Sequence, residues 1–593
     1  MFETERQAIE SQIHAFCDHH GLPDLGEISW SPIPFSGEWG ISTSFFQLAA
    51  LESRRIQKSG GKALVVPQRA AEIAEQIAAY LGQPAGFARI EAIRGYLNLY
   101  YSQAEYARRV VDTALDEGRR FGSGVPKGEQ VMVEFSQPNT HKAFHVGHLR
   151  SAILGDTICR ILEFAGYQVV RANYYGDMGL HVIKWLWNYM KYHRDEKPAI
   201  DTTRWMGDIY AEANRRLEQN PALEAEVRAL YSRWDQRDPE VVSLWEETRQ
   251  WSLDGFKTIY QDLDIHFDRE YANSIAEHPG KKVVEELIER GIATDERPDG
   301  PVIVRIDDLL GLEKEQYRVL VILRSDNTAL YSTEDLALAE IKFGDYPDMV
   351  KSIYVVDVRQ GLHFTQVFKT LEIAGYPWAT RCIHVGYEIV NLPGNVVISS
   401  REGTVVLLEE LIREAIQRAL EVVEQKNPEL TREEKQSVAR AVGMGAIKFP
   451  MLARENTKIV TFDWESALDF NGQAAPYIQY AHVRANSIIR RMEGSLPETL
   501  TPSYTLDPSE VQLVDWLSRM PGEVQRAATE YRPLHLTNLA YETARAFTTF
   551  YNTCPVLKAS PEVRDFRLRL VVAAKQAIAN LLNVLGIEAP DVM

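Results

Sequence analysis

The chain has 593 residues, 45% apolar and 25% charged, with 65 Lys and Arg against 83 Asp and Glu and a formal net charge of −18. That length predicts roughly four domain-sized units, and the composition is that of an ordinary soluble globular protein. No stretch of about 18 apolar residues predicts a membrane span, and the acidity argues against nucleic acid only where local cationic patches are absent.

Residues 1 to about 118 mix amphipathic helices with short strands, among them Tyr96-Leu97-Asn98-Leu99-Tyr100-Tyr101. A Gly/Pro/Lys-rich linker at 121–128 separates this unit from the buried-strand pattern Val131-Met132-Val133-Glu134-Phe135. From 131 to about 400, strand-like runs at 167–174, 317–323 and 352–356 alternate with helices and predict a doubly wound, parallel α/β sheet. A charged, Trp-rich helical stretch from about 185 to 262 reads as an insertion between two halves of that sheet. After about 405 the chain reads as a helical bundle, broken by one sizeable loop at about 493–509. Cys17, Cys159, Cys382 and Cys554 are scattered singly and suggest neither disulfides nor structural zinc. Met1-Phe2-Glu3-Thr4-Glu5-Arg6 is no secretory signal, so a cytoplasmic location is expected.

The densest motif is Ser136-Gln137-Pro138-Asn139-Thr140-His141-Lys142-Ala143-Phe144-His145-Val146-Gly147-His148-Leu149-Arg150. It lies where a strand turns into a helix, the place at which α/β folds receive nucleotide phosphates on free N–H groups and the helix dipole. Gly147 allows close approach to the backbone, and imidazoles can donate to phosphate oxygens. Metal ligation by His145 and His148 is the rival reading, but no Cys or acidic cluster nearby in sequence completes a zinc shell, and no residue is assigned to a metal.

This motif resembles the His-x-Gly-His signature of class I aminoacyl-tRNA synthetases, and in its longer form that of the arginyl-tRNA synthetases. The resemblance extends over nearly the whole chain. It implies an α/β Rossmann-like catalytic domain at 119–404, an N-terminal tRNA-contacting α+β domain at 1–118, a helical junction at 405–465 and a helical anticodon-binding domain at 466–593. It implies ATP-dependent activation of L-arginine, with Mg2+ on the phosphates, and transfer to the terminal adenosine of tRNA(Arg). Such a protein is expected to be a cytoplasmic monomer with no membrane partner.

His145, Gly147 and His148 are then the ATP site, joined by Ser399 and Ser400 of a second loop, 397–406. That loop lacks the lysine usual in this class. Lys142, three residues ahead of His145, resembles the displaced lysine that some arginyl-tRNA synthetases carry, and Arg401 adds a second cation. Lys142, His145, His148 and Arg401 are therefore the expected catalytic residues. Glu402 departs from the Lys or Ser often found in the family loop.

For the amino acid, Tyr331-Ser332-Thr333-Glu334-Asp335 resembles the family's Tyr-x-Thr-x-Asp segment, so Tyr331 would pack on the substrate and Asp335 would pair with the guanidinium. Gln360 would face the same pocket, and Asn139 would bind the α-amino or carboxylate end. Asp177, in Asn173-Tyr174-Tyr175-Gly176-Asp177, reads either as a site residue or as a turn-former. Asn273 stands where the family usually carries a pocket glutamate, with Glu270 as the substitute carboxylate. By the same resemblance Asn98, Tyr477, Tyr480, Arg484 and Tyr551 would contact tRNA, the alternative for each tyrosine being a place in the bundle core. Two rival readings remain at this point: a class I synthetase for another amino acid, and a weakly catalytic paralogue that binds tRNA.

Overall fold

The computed structural model describes residues 2–144, 146–198, 201–392, 396–397 and 407–593. The chain divides into two compact units, one of residues 123–480, 521–541 and 581–593, the other of residues 1–122, 481–520 and 542–580.

The first unit is built on a five-stranded, wholly parallel sheet. Its strands are β1 (Gln130–Glu134), β2 (Gln168–Tyr175), β3 (Arg269–Ala272), β4 (Lys351–Asp357) and β5 (Cys382–Tyr387), in the spatial order β5-β4-β1-β2-β3. The central strands are nearly continuous apolar runs because helices cover both faces; Val131, Met132, Val133, Ile353 and Val355 have no exposed surface. Helix α1 (Val146–Phe164) follows β1, α2 (Asn273–Glu289) follows β3, α3 (Tyr331–Asp345) precedes β4, and α4 (Gly361–Ile373) follows it. The order reverses between β1 and β4, so a crevice opens beyond their carboxyl ends, where such sheets bind ligands.

The expected insertion is present as the helices Leu180–Asn188, Thr202–Gln219, Glu224–Asp235 and Pro239–Asp262. They close on their own core of Trp185, Trp187, Trp234 and Trp245 with Leu and Ile. One expected strand belongs elsewhere. Val319–Leu323 joins a separate three-stranded antiparallel sheet, paired with Val302–Arg305, rather than the parallel one. Its side chains alternate outward and inward, with Val319 and Val321 exposed and Leu320 and Ile322 buried, the pattern of a sheet wet on one face.

In the second unit, a four-stranded antiparallel sheet in the spatial order Ser31–Pro32, Gly40–Ser44, Tyr96–Tyr101, Phe87–Ile93 packs on helices around Phe45, Leu48, Ile73, Ile77, Leu97 and Leu99. The helix Pro561–Val584 reaches this layer through Arg569, whose guanidinium donates to Asp112 at 2.6 Å. Beyond residue 407 the described chain is helical apart from short strand and loop segments, and residues 493–507 form the loop before Pro508–Glu530.

Candidate active site

The backbone leaving β1 is held in an unusual shape. Ser136, Gln137 and His141 have φ of 77°, 43° and 60°, a left-handed conformation that costs non-glycine residues about 1–3 kcal/mol each. Surrounding hydrogen bonds hold it. The Ser136 N–H donates to Ser151 Oγ on α1 at 3.0 Å, and the His141 N–H donates to Ser252 Oγ at 3.0 Å. The His141 ring is wedged between Thr140 Oγ1 at 2.9 Å and Thr248 Oγ1 at 2.8 Å, and burial pushes its pKa far below the ordinary value. His141 is thus a neutral brace. Asn139 meets Gly176 across a bridge from the end of β2, with the Thr140 N–H donating to the Gly176 carbonyl at 2.9 Å. A Cβ on Gly176 would lie 2.5 Å from Asn139 Oδ1, so glycine permits this approach.

A cavity of about 210 Å³ lies beside this bridge, lined by Asn139, Tyr174, Asn273, Tyr331, Asp335 and Gln360 among others. Four of the five residues expected to bind the amino acid are therefore brought together from the segment after β1, the start of α3 and the turn after β4. Asp335 accepts from His363 Nε2 of α4 at 2.6 Å, which fixes the carboxylate against the pocket wall. Tyr331 is 70% exposed at the rim. Glu134, also in the lining, is neutralised from beneath by the buried Lys342 of α3.

Asp177 is the fifth, and it is placed behind the pocket. Its fully buried carboxylate accepts from the Ser274 N–H at 2.9 Å, from Ser274 Oγ at 2.8 Å and from Arg249 at 3.1 Å. It thereby anchors the start of α2, the turn that carries Asn273. Glu270 is exposed on β3 and faces a different cleft. Tyr174, Glu334 and His363 were not singled out as site residues from sequence, yet all three touch the lining. They lie on elements far apart in the chain, and only the fold reports that.

Gly147 and His148 open α1, a 19-residue helix whose N-terminus points its dipole toward the crevice, and the His148 ring lies 5.1 Å from that of Phe144. The Lys142 ammonium sits 5.3 Å from the ring centroid of Tyr210 in the inserted helix. His145, Ser399, Ser400 and Arg401 lie outside the described residues. Arg150 is buried and donates to the carbonyls of Lys458 at 2.7 Å and Glu455 at 3.2 Å, tying α1 to the chain beyond the second loop.

Of the residues expected to meet tRNA, Asn98 is half-buried and accepts from Ser42 Oγ at 2.6 Å. Tyr477 is half-buried against Tyr541, at 5.5 Å between ring centroids, whereas Tyr480 is exposed. Arg484 stacks its guanidinium 5.2 Å from the exposed Tyr551 ring, a cation and an aromatic side by side.

Residues 110–464 match the family model for the catalytic domain of class I tRNA synthetases (R), and residues 478–593 match that for the DALR anticodon-binding domain. The fold and this match define a class I tRNA synthetase. The arginine–tRNA ligase of Clostridium acetobutylicum is 34% identical over 523 residues, 88% of this chain and 90% of that protein. That of Clostridium perfringens is 35% identical over 528 residues, with 88% and 90% covered. The solved arginyl-tRNA synthetase of Thermus thermophilus superposes with a TM-score of 0.77 at 27% identity, covering 99% of this chain and 100% of its own. The chain belongs to the arginyl-tRNA synthetase family.

Proposed function

We propose that the chain joins L-arginine to tRNA(Arg) in two steps at the β1/β4 crevice: arginine attacks the α-phosphate of ATP to give arginyl-adenylate and pyrophosphate, and the 3′-terminal adenosine of the tRNA then takes the arginyl group. The observation that carries the arginine assignment is the convergence of Asn139, Asp335 and Gln360 on one small cavity, with Tyr331 at its rim. A planar guanidinium needs such fixed carboxylate and amide acceptors. In this reading Asp335 pairs with the guanidinium, Gln360 adds an acceptor, Tyr331 covers the side chain and Asn139 holds the main-chain end.

Activation needs positioning and charge stabilisation more than covalent help. Gly147 and His148 at the α1 N-terminus, with His145, would take the α-phosphate and ribose side. Lys142 would reach the leaving pyrophosphate, assisted by Ser399, Ser400 and Arg401. Mg2+ would supply further charge on the phosphates. Among the described residues no group of three or more His, Cys, Asp or Glu side chains is placed to hold a metal ion. The N-terminal domain, through Asn98, and the helical C-terminal domain, through Tyr477, Tyr480, Arg484 and Tyr551, would hold the tRNA. A cytoplasmic monomer completes the proposal; among the described residues no helix is long and apolar enough to cross a membrane.

The test is charging of an arginine tRNA with labelled arginine by the parent chain and by Lys142→Ala. Charging by the parent and its loss in the variant support the reading. Equal charging by both removes Lys142 from the chemistry, and no charging by a folded, tRNA-bound parent sinks the assignment.

A further inference from the structure

Directly behind the lining of the amino-acid pocket lies a carboxylate that no cation among the described residues neutralises. Glu334 of α3 is 9% exposed and adjoins Asp335 in sequence. Its Oε2 accepts from Asn273 Nδ2 of α2 and lies 3.5 Å from Tyr174 Oη of β2, both residues of the pocket lining. These donors are neutral. The charged neighbours that bear on Glu334 are Asp335 of α3 and Glu277 of α2, both acidic, and burial is the chief reason its carboxyl is pushed up to about 8. Of the other carboxylates of the pocket, Glu134 is paired with the ammonium of Lys342, and Asp335 accepts a hydrogen bond from His363.

Asn273 adds a second, geometric observation. Its Nδ2 donates both to Glu334 and to Tyr174 Oη at 2.9 Å, which spends both amide hydrogens. Oδ1 is left as the atom able to accept. A buried acid with acidic neighbours, holding the amide of a residue that lines the cavity, is a site completed by a cation.

We propose that Glu334 is a specificity-determining residue of the amino-acid pocket, acting through Asn273 and Tyr174: it fixes the Asn273 amide so that Oδ1 faces the substrate, and it supplies the negative charge by which the pocket selects a guanidinium. This rests on the arginine reading above. In the free protein below about pH 8 the Glu334 carboxyl holds its proton, and an arriving guanidinium drives the proton out. The KM for arginine therefore falls as pH rises toward 8 and then levels. The groups facing Glu334 are Tyr174 from β2, Asn273 and Glu277 from α2, and Tyr331 and Asp335 from α3, the last in turn held by His363 of α4.

The experiment measures kcat and the KM for arginine in tRNA charging between pH 6.5 and 9 for the parent, Glu334→Gln, His363→Gln and the exchange Asn273→Asp/Glu334→Gln. The exchange puts the amide and the carboxylate on opposite sides of the same hydrogen bond. Glu334→Gln is expected to raise the KM roughly ten- to a hundredfold, to change kcat far less, and to flatten the pH dependence; the exchange is expected to recover much of the KM. An unchanged KM and pH profile in Glu334→Gln overturns the proposal, as does a profile flattened by His363→Gln alone. If Glu334→Gln does not fold, the exchange variant decides, a KM that stays high counting against. A parent that charges no arginine fails the functional reading instead, and the two failures are told apart by the parent's activity.

Discussion

The side-chain amide of Asn273 bridges Tyr174, at 2.9 Å, and the buried carboxylate of Glu334. Three elements of the fold, β2, α2 and α3, meet in that contact, and it forms the acidic side of the pocket.

Because burial raises the Glu334 carboxyl to about 8, the folded chain keeps its proton at a pH where the unfolded chain, near the ordinary glutamate value of 4.5, has lost it. The folded state therefore binds more protons between these values, and this group subtracts stability as pH rises through the window. Glu334→Gln lacks that loss. Without substrates it is expected to melt at or above the parent temperature at pH 8, with a smaller difference at pH 5. A lower melting temperature at both would show a carboxylate that stabilises the fold.

Asp335 is held at 2.6 Å by His363 and faces the cavity. Asp335→Asn keeps the shape and removes the charge. The expected effect is a loss of about 1.5–3 kcal/mol in arginine recognition, seen as a raised KM for arginine with the KM for ATP little changed. Equal rises for both substrates in steady-state charging would contradict a role confined to the amino acid.

Gly176→Ala would place a Cβ 2.5 Å from Asn139 Oδ1. The side chain of Asn139 must then move, at a cost of about 1–3 kcal/mol. Arginine-dependent activity is expected to fall while the far-UV circular dichroism spectrum stays that of the parent. Parental kinetics would show that Asn139 can move without consequence.

Lys342 is fully buried and its only carboxylate contact among the described ion pairs is Glu134. Lys342→Met leaves that acid buried without a cation and is expected to cost about 3–5 kcal/mol in urea unfolding, whereas the double change Glu134→Leu/Lys342→Met costs much less. Similar losses in both would argue that the lysine stem, not the ion pair, matters.

The sequence made the central sheet legible at 131–135, 167–174 and 352–356, where both-sided burial writes strand-length, apolar-rich runs interrupted by few polar residues such as Glu134, Arg171 and Asn173. It misplaced Val319–Leu323, because an apolar run does not state the direction of its neighbour, and it passed over the edge strand Cys382–Tyr387, whose residues are mostly half-buried. The motifs around Asn139, Tyr331, Asp335 and Gln360 pointed to four residues that the fold brings to one cavity. Asp177 was read as a pocket residue or a turn-former, and it instead anchors Ser274 and Arg249. Glu334 could not be read at all: its partner Asn273 is 61 residues away, and burial, which gives the carboxylate its character, is a property of the fold.

The most direct measurement is charging of the whole tRNA pool with each labelled amino acid in turn. A pocket that pairs Asp335 with a guanidinium and carries the Glu334 charge beside it is expected to attach arginine and to leave lysine, glutamine and the rest unattached. Attachment of a different amino acid, or of none by a folded protein that still binds tRNA, would contradict an arginine-specific ligase.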